Sequence, residues 1–155
     1  MTTTTDTAAH KVHPLLAQLF SRHDYQNISA ENIDAFSHSP GHALLVFTED
    51  PLRVRETLDL AVIVPELASA LPGRFRVGVL LAAAARDLQP RYGVRRWPAI
   101  VVLRDGAYVG AIEGLRNWDE YLSELVRLLD AEPSRAPTIG VAVKTAGTHA
   151  AGCGT

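Results

Sequence analysis

The chain has 155 residues, of which 47% are hydrophobic and 21% charged, the balance of an ordinary soluble globular protein. This length suits one domain with a proper core and is short for two. The net charge of −2 and the pI of about 6.3 argue against a nucleic-acid binder, because such domains carry a basic face or stripe. No apolar run approaches the roughly 20 residues that cross a bilayer, so we expect no membrane insertion.

The two ends of the chain differ in composition from its middle. Residues 1–12 are polar, threonine-rich and without periodicity, which predicts a disordered arm and shows no secretory signal. Residues 131–155 are rich in proline, alanine, glycine and threonine, which predicts a flexible tail after a domain over residues 13–130. A single cysteine, Cys153, excludes an internal disulfide, and the expected compartment is the cytoplasm.

Apolar periodicity and turn residues predict the elements of the first half. In chain order they are a helix over 14–22, a short extended piece over 25–29, a helix over 30–36 capped by Ser29, a strand over 42–48 and a long helix over 52–71. The strand is a continuous apolar run, which is typical of a strand buried on both faces. Pro65 predicts a kink in the long helix, because it removes one backbone hydrogen bond.

The second half continues with alternating strands and helices. The predicted elements are a strand over 75–81, a helix over 82–91, strands over 99–103 and 108–112 joined by the Asp105-Gly106 turn, and a final helix after Asn117. Glu120 completes a capping-box pattern with Asn117. The predicted apolar face of the final helix is Trp118, Tyr121, Leu122, Leu125, Leu128 and Leu129.

This order of elements predicts an α/β fold with three layers. Strands separated by helices pair in parallel through right-handed crossovers, and the terminal hairpin adds an antiparallel edge. A central mixed sheet with helices on both faces follows from these rules.

Several residues give this order a specific resemblance to the thioredoxin fold. Thioredoxins carry a Tyr-Gly-Val segment, a cis-proline, a buried strand and an Asn/Asp-Gly turn, and Tyr92–Gly106 reads in the same way. The resemblance places Trp97-Pro98 at the cis-proline position and Pro65 at the proline that kinks the second thioredoxin helix. It also places Gly114 at a glycine near the end of the last strand.

The chain departs from thioredoxins at the catalytic site. Counting back from Pro65, the segment Thr57-Leu58-Asp59-Leu60 stands where thioredoxins carry Cys-x-x-Cys, and Val46 stands where they bury an acid. Dithiol exchange needs an attacking and a resolving thiol, so this chemistry is excluded at the usual site. We therefore expect no catalytic residues, no cofactor and no enzymatic activity.

The remaining motifs resemble one group within this fold, the HyaE-type (HupG or HoxO) accessory proteins of uptake [NiFe]-hydrogenases. Phe47-Thr48-Glu49-Asp50-Pro51 and Trp97-Pro98-Ala99 match the pattern of that group. The resemblance implies a cytoplasmic chaperone that binds the hydrogenase small-subunit precursor and its twin-arginine signal peptide and delays export. A second hydrogenase accessory protein is a further partner that it implies. These expectations come from family analogy.

Six residues are the candidates for peptide binding: Trp97, Pro98, Glu49, Asp50, Glu56 and Asp59. The tryptophan offers a large apolar area, and carboxylates can hold an arginine side chain through paired hydrogen bonds. The alternative interpretation is a half-buried tryptophan in a rigid turn, beside solvated acids that pair with Arg53 and Arg55.

Two further functions stay open at this stage. One is an interaction module for an unrelated partner, and the other is weak thiol chemistry through Cys153. The six histidines are scattered along the chain, and His38 and His42 flank a loop, so we expect no metal site.

Overall fold

The computed structural model describes residues 12–138. The predicted arm, apart from Val12, and residues 139–155 with Cys153 lie outside the described residues. The five helices of this part are α1 (Pro14–Ser21), α2 (Ile33–His38), α3 (Glu56–Ala70), α4 (Ala82–Tyr92) and α5 (Trp118–Asp130). The five strands are β1 (Gln26–Asn27), β2 (His42–Phe47), β3 (Arg76–Leu80), β4 (Ala99–Arg104) and β5 (Ala107–Glu113). Among residues 12–138, no helix combines the length and apolar character that spanning a membrane requires.

The five strands form one mixed sheet in the order β1-β3-β2-β4-β5. Strands β1, β3 and β2 run parallel, whereas β4 pairs antiparallel with both β2 and β5. In the central strand, Leu45 lies between Gly78 of β3 and Val101 of β4. The parallel strands joined by helices and the antiparallel terminal hairpin confirm the predicted thioredoxin-like α/β architecture.

The sheet separates two apolar cores. One contains buried side chains of α1, α3 and α5, among them Leu16, Leu60 and Leu125. The other contains side chains of α2 and α4 together with Phe47 and Leu103. Successive residues of β2 point alternately to the two cores, so every residue from 43 to 47 is fully buried. This arrangement explains the continuous apolar run of β2.

Two helices begin later than their patterns predict. Helix α2 begins at Ile33, because the Asn32 side chain accepts a hydrogen bond from the Ser29 amide at 2.8 Å and the residues between them form a turn. Ser29 is therefore not its N-cap. Helix α3 begins at Glu56, because the Asp50 carbonyl accepts hydrogen bonds from two later amides and closes a separate turn.

The last helix confirms its predicted cap but not its whole predicted face. The Asn117 side chain accepts a hydrogen bond from the Glu120 amide, and the Glu120 side chain accepts one from the Asn117 amide. The prediction for Trp118 is wrong, since this side chain is 40% exposed. All residues from 115 to 120 are exposed, so the first turn of α5 lies beyond the core despite its apolar spacing.

The eight residues after α5 remain in contact with the domain. The Ser134 amide donates a hydrogen bond to the Tyr108 carbonyl at 2.7 Å, and the Ser134 hydroxyl donates one to the Val109 carbonyl at 3.1 Å. Pro137 then lies so close to Gly93 that a Cβ atom there would be 2.4 Å from the Pro137 carbonyl oxygen. The first part of the predicted tail thus runs from β5 toward the segment between α4 and β4.

Candidate functional site

The sheet topology brings the two matching motifs to the same end of the molecule. Phe47, the last residue of β2, pairs with Ala99, the first residue of β4, and the two strands are antiparallel. The residues that follow Phe47 and those that precede Ala99 therefore meet at the end of β2. This placement brings Glu49 and Asp50 to the same end as Trp97 and Pro98.

Trp97 packs against Phe47, which in turn contacts Tyr92. Its ring centroid is 6.2 Å from that of Phe47, and the Phe47 ring makes an edge-to-face contact with Tyr92 at 6.1 Å. The edge-to-face contact of Phe47 with Tyr92 is one of the favoured aromatic geometries. Trp97 is half-buried and Pro98 is buried. The bond between them is cis, as the resemblance implies.

Hydrogen bonds connect the cis-proline to the start of α5. The Gly114 amide donates to the Pro98 carbonyl at 2.8 Å, and the Tyr121 hydroxyl donates to the Gly114 carbonyl at 3.2 Å. Gly114 has a φ of +77°, a left-handed conformation that favours glycine. Burial raises the pKa of the Tyr121 hydroxyl that donates this hydrogen bond.

Glu49 is already engaged within the protein. Only 6% of its surface is exposed, and Arg86 holds its carboxylate through two hydrogen bonds, Nε to Oε2 at 3.0 Å and Nη2 to Oε1 at 2.5 Å. Burial acts to raise the pKa of Glu49, but the bonds from Arg86 and from the Asp50 amide outweigh it and hold the pKa below its usual value. Within residues 12–138, neither Arg53 nor Arg55 forms an ion pair, so the partner of Glu49 is Arg86 and not one of the two arginines of the alternative interpretation.

The other three acids are exposed and lie in two places. Asp50 accepts a hydrogen bond from the Leu52 amide at 2.9 Å and, with Glu49 and Arg86, lines a cavity of about 510 Å³ between α1 and α4. Glu56 and Asp59 lie in the first turn of α3 and do not line this cavity. The structure therefore brings all six candidates to one end of the sheet but does not gather the acids into one cluster.

The positions vacated by the cysteines are closed. Thr57 and Leu60 have no exposed surface, and the Thr57 hydroxyl oxygen accepts a hydrogen bond from the Glu49 amide at 3.1 Å. The loop that follows β2 thus lies over the position where an attacking thiol would have to meet its substrate. In the part of the chain from 12 to 138, no three His, Cys, Asp or Glu side chains are grouped as metal ligands.

A cysteine at position 57 is expected to be protected from solvent. In a Cys153→Ser background, Thr57→Cys should react with a thiol reagent at least about tenfold more slowly in native buffer than in guanidinium chloride, because reaction requires local opening. Ala107→Cys in the same background is the control, since Ala107 is exposed and should react equally fast in both conditions. Equal rates for Thr57→Cys would show that the position is open.

This geometry defines a thioredoxin-like domain that lacks the cysteine pair. One end of its sheet presents a tryptophan beside a cis-proline. The chain belongs to the family of the hydrogenase-1 expression protein HyaE, whose family model matches residues 15–121.

Individual relatives carry related names. The chain is 38% identical over 137 residues to the hydrogenase expression/formation protein HoxO of Cupriavidus necator, covering 87% of this chain and 85% of that protein. It is 34% identical over 137 residues to HoxO of Azotobacter vinelandii, covering 88% of this chain and 92% of that protein. A crystal structure of a hydrogenase expression/formation protein HupG from Rhodopseudomonas palustris is 33% identical, with a TM-score of 0.48, and covers 67% of this chain and 94% of that one.

Proposed function

We propose that this protein is a non-catalytic, cytoplasmic chaperone in [NiFe]-hydrogenase maturation. Its ligand in this proposal is the precursor of the hydrogenase small subunit, held through the twin-arginine signal peptide before export. Membership of the HyaE family and the names of the HoxO relatives support the hydrogenase part of this function. A second hydrogenase accessory protein would be a further partner.

The observation that carries the peptide-binding part is the half-buried Trp97 beside the buried cis-proline. The Phe47 ring packs against the Trp97 ring. The tryptophan therefore offers a rigid apolar surface, and binding to it costs little side-chain entropy. An arginine side chain can stack on such a ring through a cation–π interaction. Pro98 would shape the backbone against which an extended peptide lies.

The exposed acids supply the second element of recognition. Asp50, Glu56 and Asp59 are exposed, and a carboxylate can bind a guanidinium through two parallel hydrogen bonds. Because Glu49 is held by Arg86, its role in this proposal is to position the loop that carries Asp50. Exposed acids at two locations at this end of the sheet suit a ligand that carries two arginines.

Replacement of Trp97 by alanine is expected to weaken binding of a fluorescent twin-arginine peptide about tenfold, as is typical when a central aromatic contact residue is removed. Fluorescence anisotropy with the full chain measures this effect. A twin-lysine peptide should bind more weakly, because an ammonium cannot form the planar paired contact. Asp59→Asn should also weaken binding, whereas Asp130→Asn, an exposed acid at the far end of α5, should not.

Absence of binding between the wild-type chain and the small-subunit precursor would contradict the proposal. If the wild-type chain instead reduced insulin, and Cys153→Ser abolished that activity, the thiol alternative would replace it. Circular dichroism of each variant separates loss of binding from loss of fold.

A further inference from the structure

The chain that follows α5 advances along the edge of the sheet toward the candidate site. The Ser134 amide donates to the carbonyl of Tyr108, near the start of β5, the edge strand of the sheet. Four residues later, the Thr138 carbonyl accepts a hydrogen bond from Nη2 of Arg95 at 3.5 Å. The Arg95 amide in turn donates to Oε2 of Glu113, the last residue of β5, at 3.4 Å. The chain therefore passes from the start of β5 toward its end.

At this end the chain borders the aromatic contacts of the site. Pro137 packs so closely on Gly93 that a Cβ atom there would be 2.4 Å from the Pro137 carbonyl oxygen. Gly93 directly follows Tyr92, and the rings of Tyr92 and Trp97 contact the same phenylalanine. Arg95 is two residues before Trp97, so their Cα atoms are at most about 7 Å apart. The next few residues of an extended chain, at about 3.3 Å each, can therefore reach Trp97.

Trp97 has both apolar surface and backbone groups available for a further contact. Its side chain is only half-buried. Among residues 12–138, no backbone group forms a hydrogen bond with its amide or its carbonyl. An extended segment beside Trp97 can pair with these groups, as an added strand does, and cover the ring at the same time.

The residues that follow Thr138 have the sequence pattern of such a segment. Residues 139–143 read Ile-Gly-Val-Ala-Val and carry no charge. An extended chain points successive side chains to opposite sides, which would place Ile139, Val141 and Val143 on one side. The opposite side would carry only glycine and alanine. Three β-branched apolar side chains in a row are suited to an apolar surface such as an exposed tryptophan ring.

We propose that residues 139–143 bind across Trp97 and Pro98 of the same chain when no ligand is present. The contacts of the preceding residues favour this intramolecular contact, because a short tether gives an effective concentration of about millimolar. The occupancy itself is independent of the proposed function, whereas its consequence rests on that function. A signal peptide competes with the segment, and its apparent affinity is lowered in proportion to the fraction of molecules whose site is free.

Quenching of the Trp97 fluorescence tests the occupancy in the full chain. In a Trp118→Phe, Cys153→Ser background, Trp97 is the only tryptophan. A nitroxide label, which quenches at short range, is attached at Ala142→Cys or, as the control, at Ala150→Cys. The label at position 142 should lower the fluorescence at least about twofold more than the label at position 150, because the segment occupies the site in most molecules. In guanidinium chloride this difference should disappear.

Substitutions within the segment give a second readout. Ile139→Ser combined with Val141→Ser should remove the quenching by the label at position 142. It should also tighten the binding of a twin-arginine peptide about tenfold, as expected when a site that is free in about a tenth of the molecules becomes free in all. Ala150→Ser combined with Ala151→Ser is the matched control and should change neither the quenching nor the affinity.

The outcomes separate this inference from the proposed function. Equal quenching by the two labels in native buffer would overturn the inference and leave the proposed function intact. Strong quenching by the label at position 142, without binding of a twin-arginine peptide by the wild-type chain or by the Ile139→Ser, Val141→Ser variant, would support the occupancy and refute the proposed function. Quenching that is lost on dilution would show that the segment binds a second copy of the chain, and this result would overturn the intramolecular contact.

Discussion

Replacement of Phe47 by alanine is expected to lower the free energy of unfolding by about 3–5 kcal/mol, the usual loss for truncating a buried phenylalanine. Phe47 has no exposed surface and contacts both Tyr92 and Trp97. The substitution would leave a cavity under the ring of Trp97 at the end of β2. Denaturant unfolding followed by circular dichroism measures the loss.

The same variant links stability to the candidate site. In a Trp118→Phe background, the fluorescence of the remaining Trp97 should change in the folded state, because Phe47 no longer fixes its ring. Phe47→Leu keeps most of the apolar volume and should cost less than about 1.5 kcal/mol. A loss of unfolding free energy below about 1 kcal/mol for Phe47→Ala would mean that the Phe47 ring does not support Trp97.

Replacement of Arg76 by methionine is expected to destabilise the fold by about 3 kcal/mol, because hydrogen bonds from a charged donor are among the strongest in proteins. The Arg76 guanidinium donates to the carbonyl oxygens of Phe36 at 2.7 Å, Ser39 at 2.8 Å and Pro40 at 2.9 Å. It also lies 5.0 Å from the centroid of the Phe36 ring. Methionine keeps the apolar stem of the side chain but leaves these carbonyls without their donor.

Arg74 offers a matched control for Arg76. It lies two residues earlier, is exposed and forms a single ion pair with Asp130 at 3.6 Å. Exposed pairs of this kind contribute little, so Arg74→Met should change the free energy of unfolding by less than about 0.5 kcal/mol. Equal losses for Arg74→Met and Arg76→Met would refute the role assigned to the carbonyl contacts. Arg76→Lys should give an intermediate loss, because a lysine has fewer donors.

Features set by local chemistry were predictable from the sequence. The buried strand β2 follows from its continuous apolar run, and the β4–β5 hairpin follows from Asp105-Gly106. The cap of α5 follows from the spacing of Asn117 and Glu120. In each case the residues that determine the structure are close together in the chain, so the sequence pattern predicts the local backbone geometry.

Features set by distant partners were not predictable. Glu49 and Arg86 are 37 residues apart, and nothing in the sequence around Arg86 singles it out as the partner of a buried acid. The exposure of Trp118 depends on how far the core extends beneath α5. The helical spacing of the apolar residues in α5 does not reveal this. The docking of Ser134 on β5 was missed for the same reason, since a proline- and alanine-rich composition predicts a tail without contacts.

The closed cysteine positions explain how a redox scaffold can serve a different purpose. With Thr57 and Leu60 buried, the loop after β2 has no reacting group to leave accessible, and Glu49 can bind Arg86 across it. The cis-proline and its neighbouring tryptophan remain at the same end of the sheet. In our proposal, recognition of an extended peptide is retained while the chemistry that accompanied it in thioredoxins is absent.

The positions of residues 12 and 138 have a practical consequence for assay design. Val12 lines the cavity beside Glu49, and the carbonyl of Thr138 is 3.5 Å from Nη2 of Arg95, two residues before Trp97. The segments that would carry a purification tag or dye at either terminus therefore join the described domain beside the region under test. Cleavable tags, and a label at the exposed Ala107 by the β4–β5 turn, keep such groups away from the peptide.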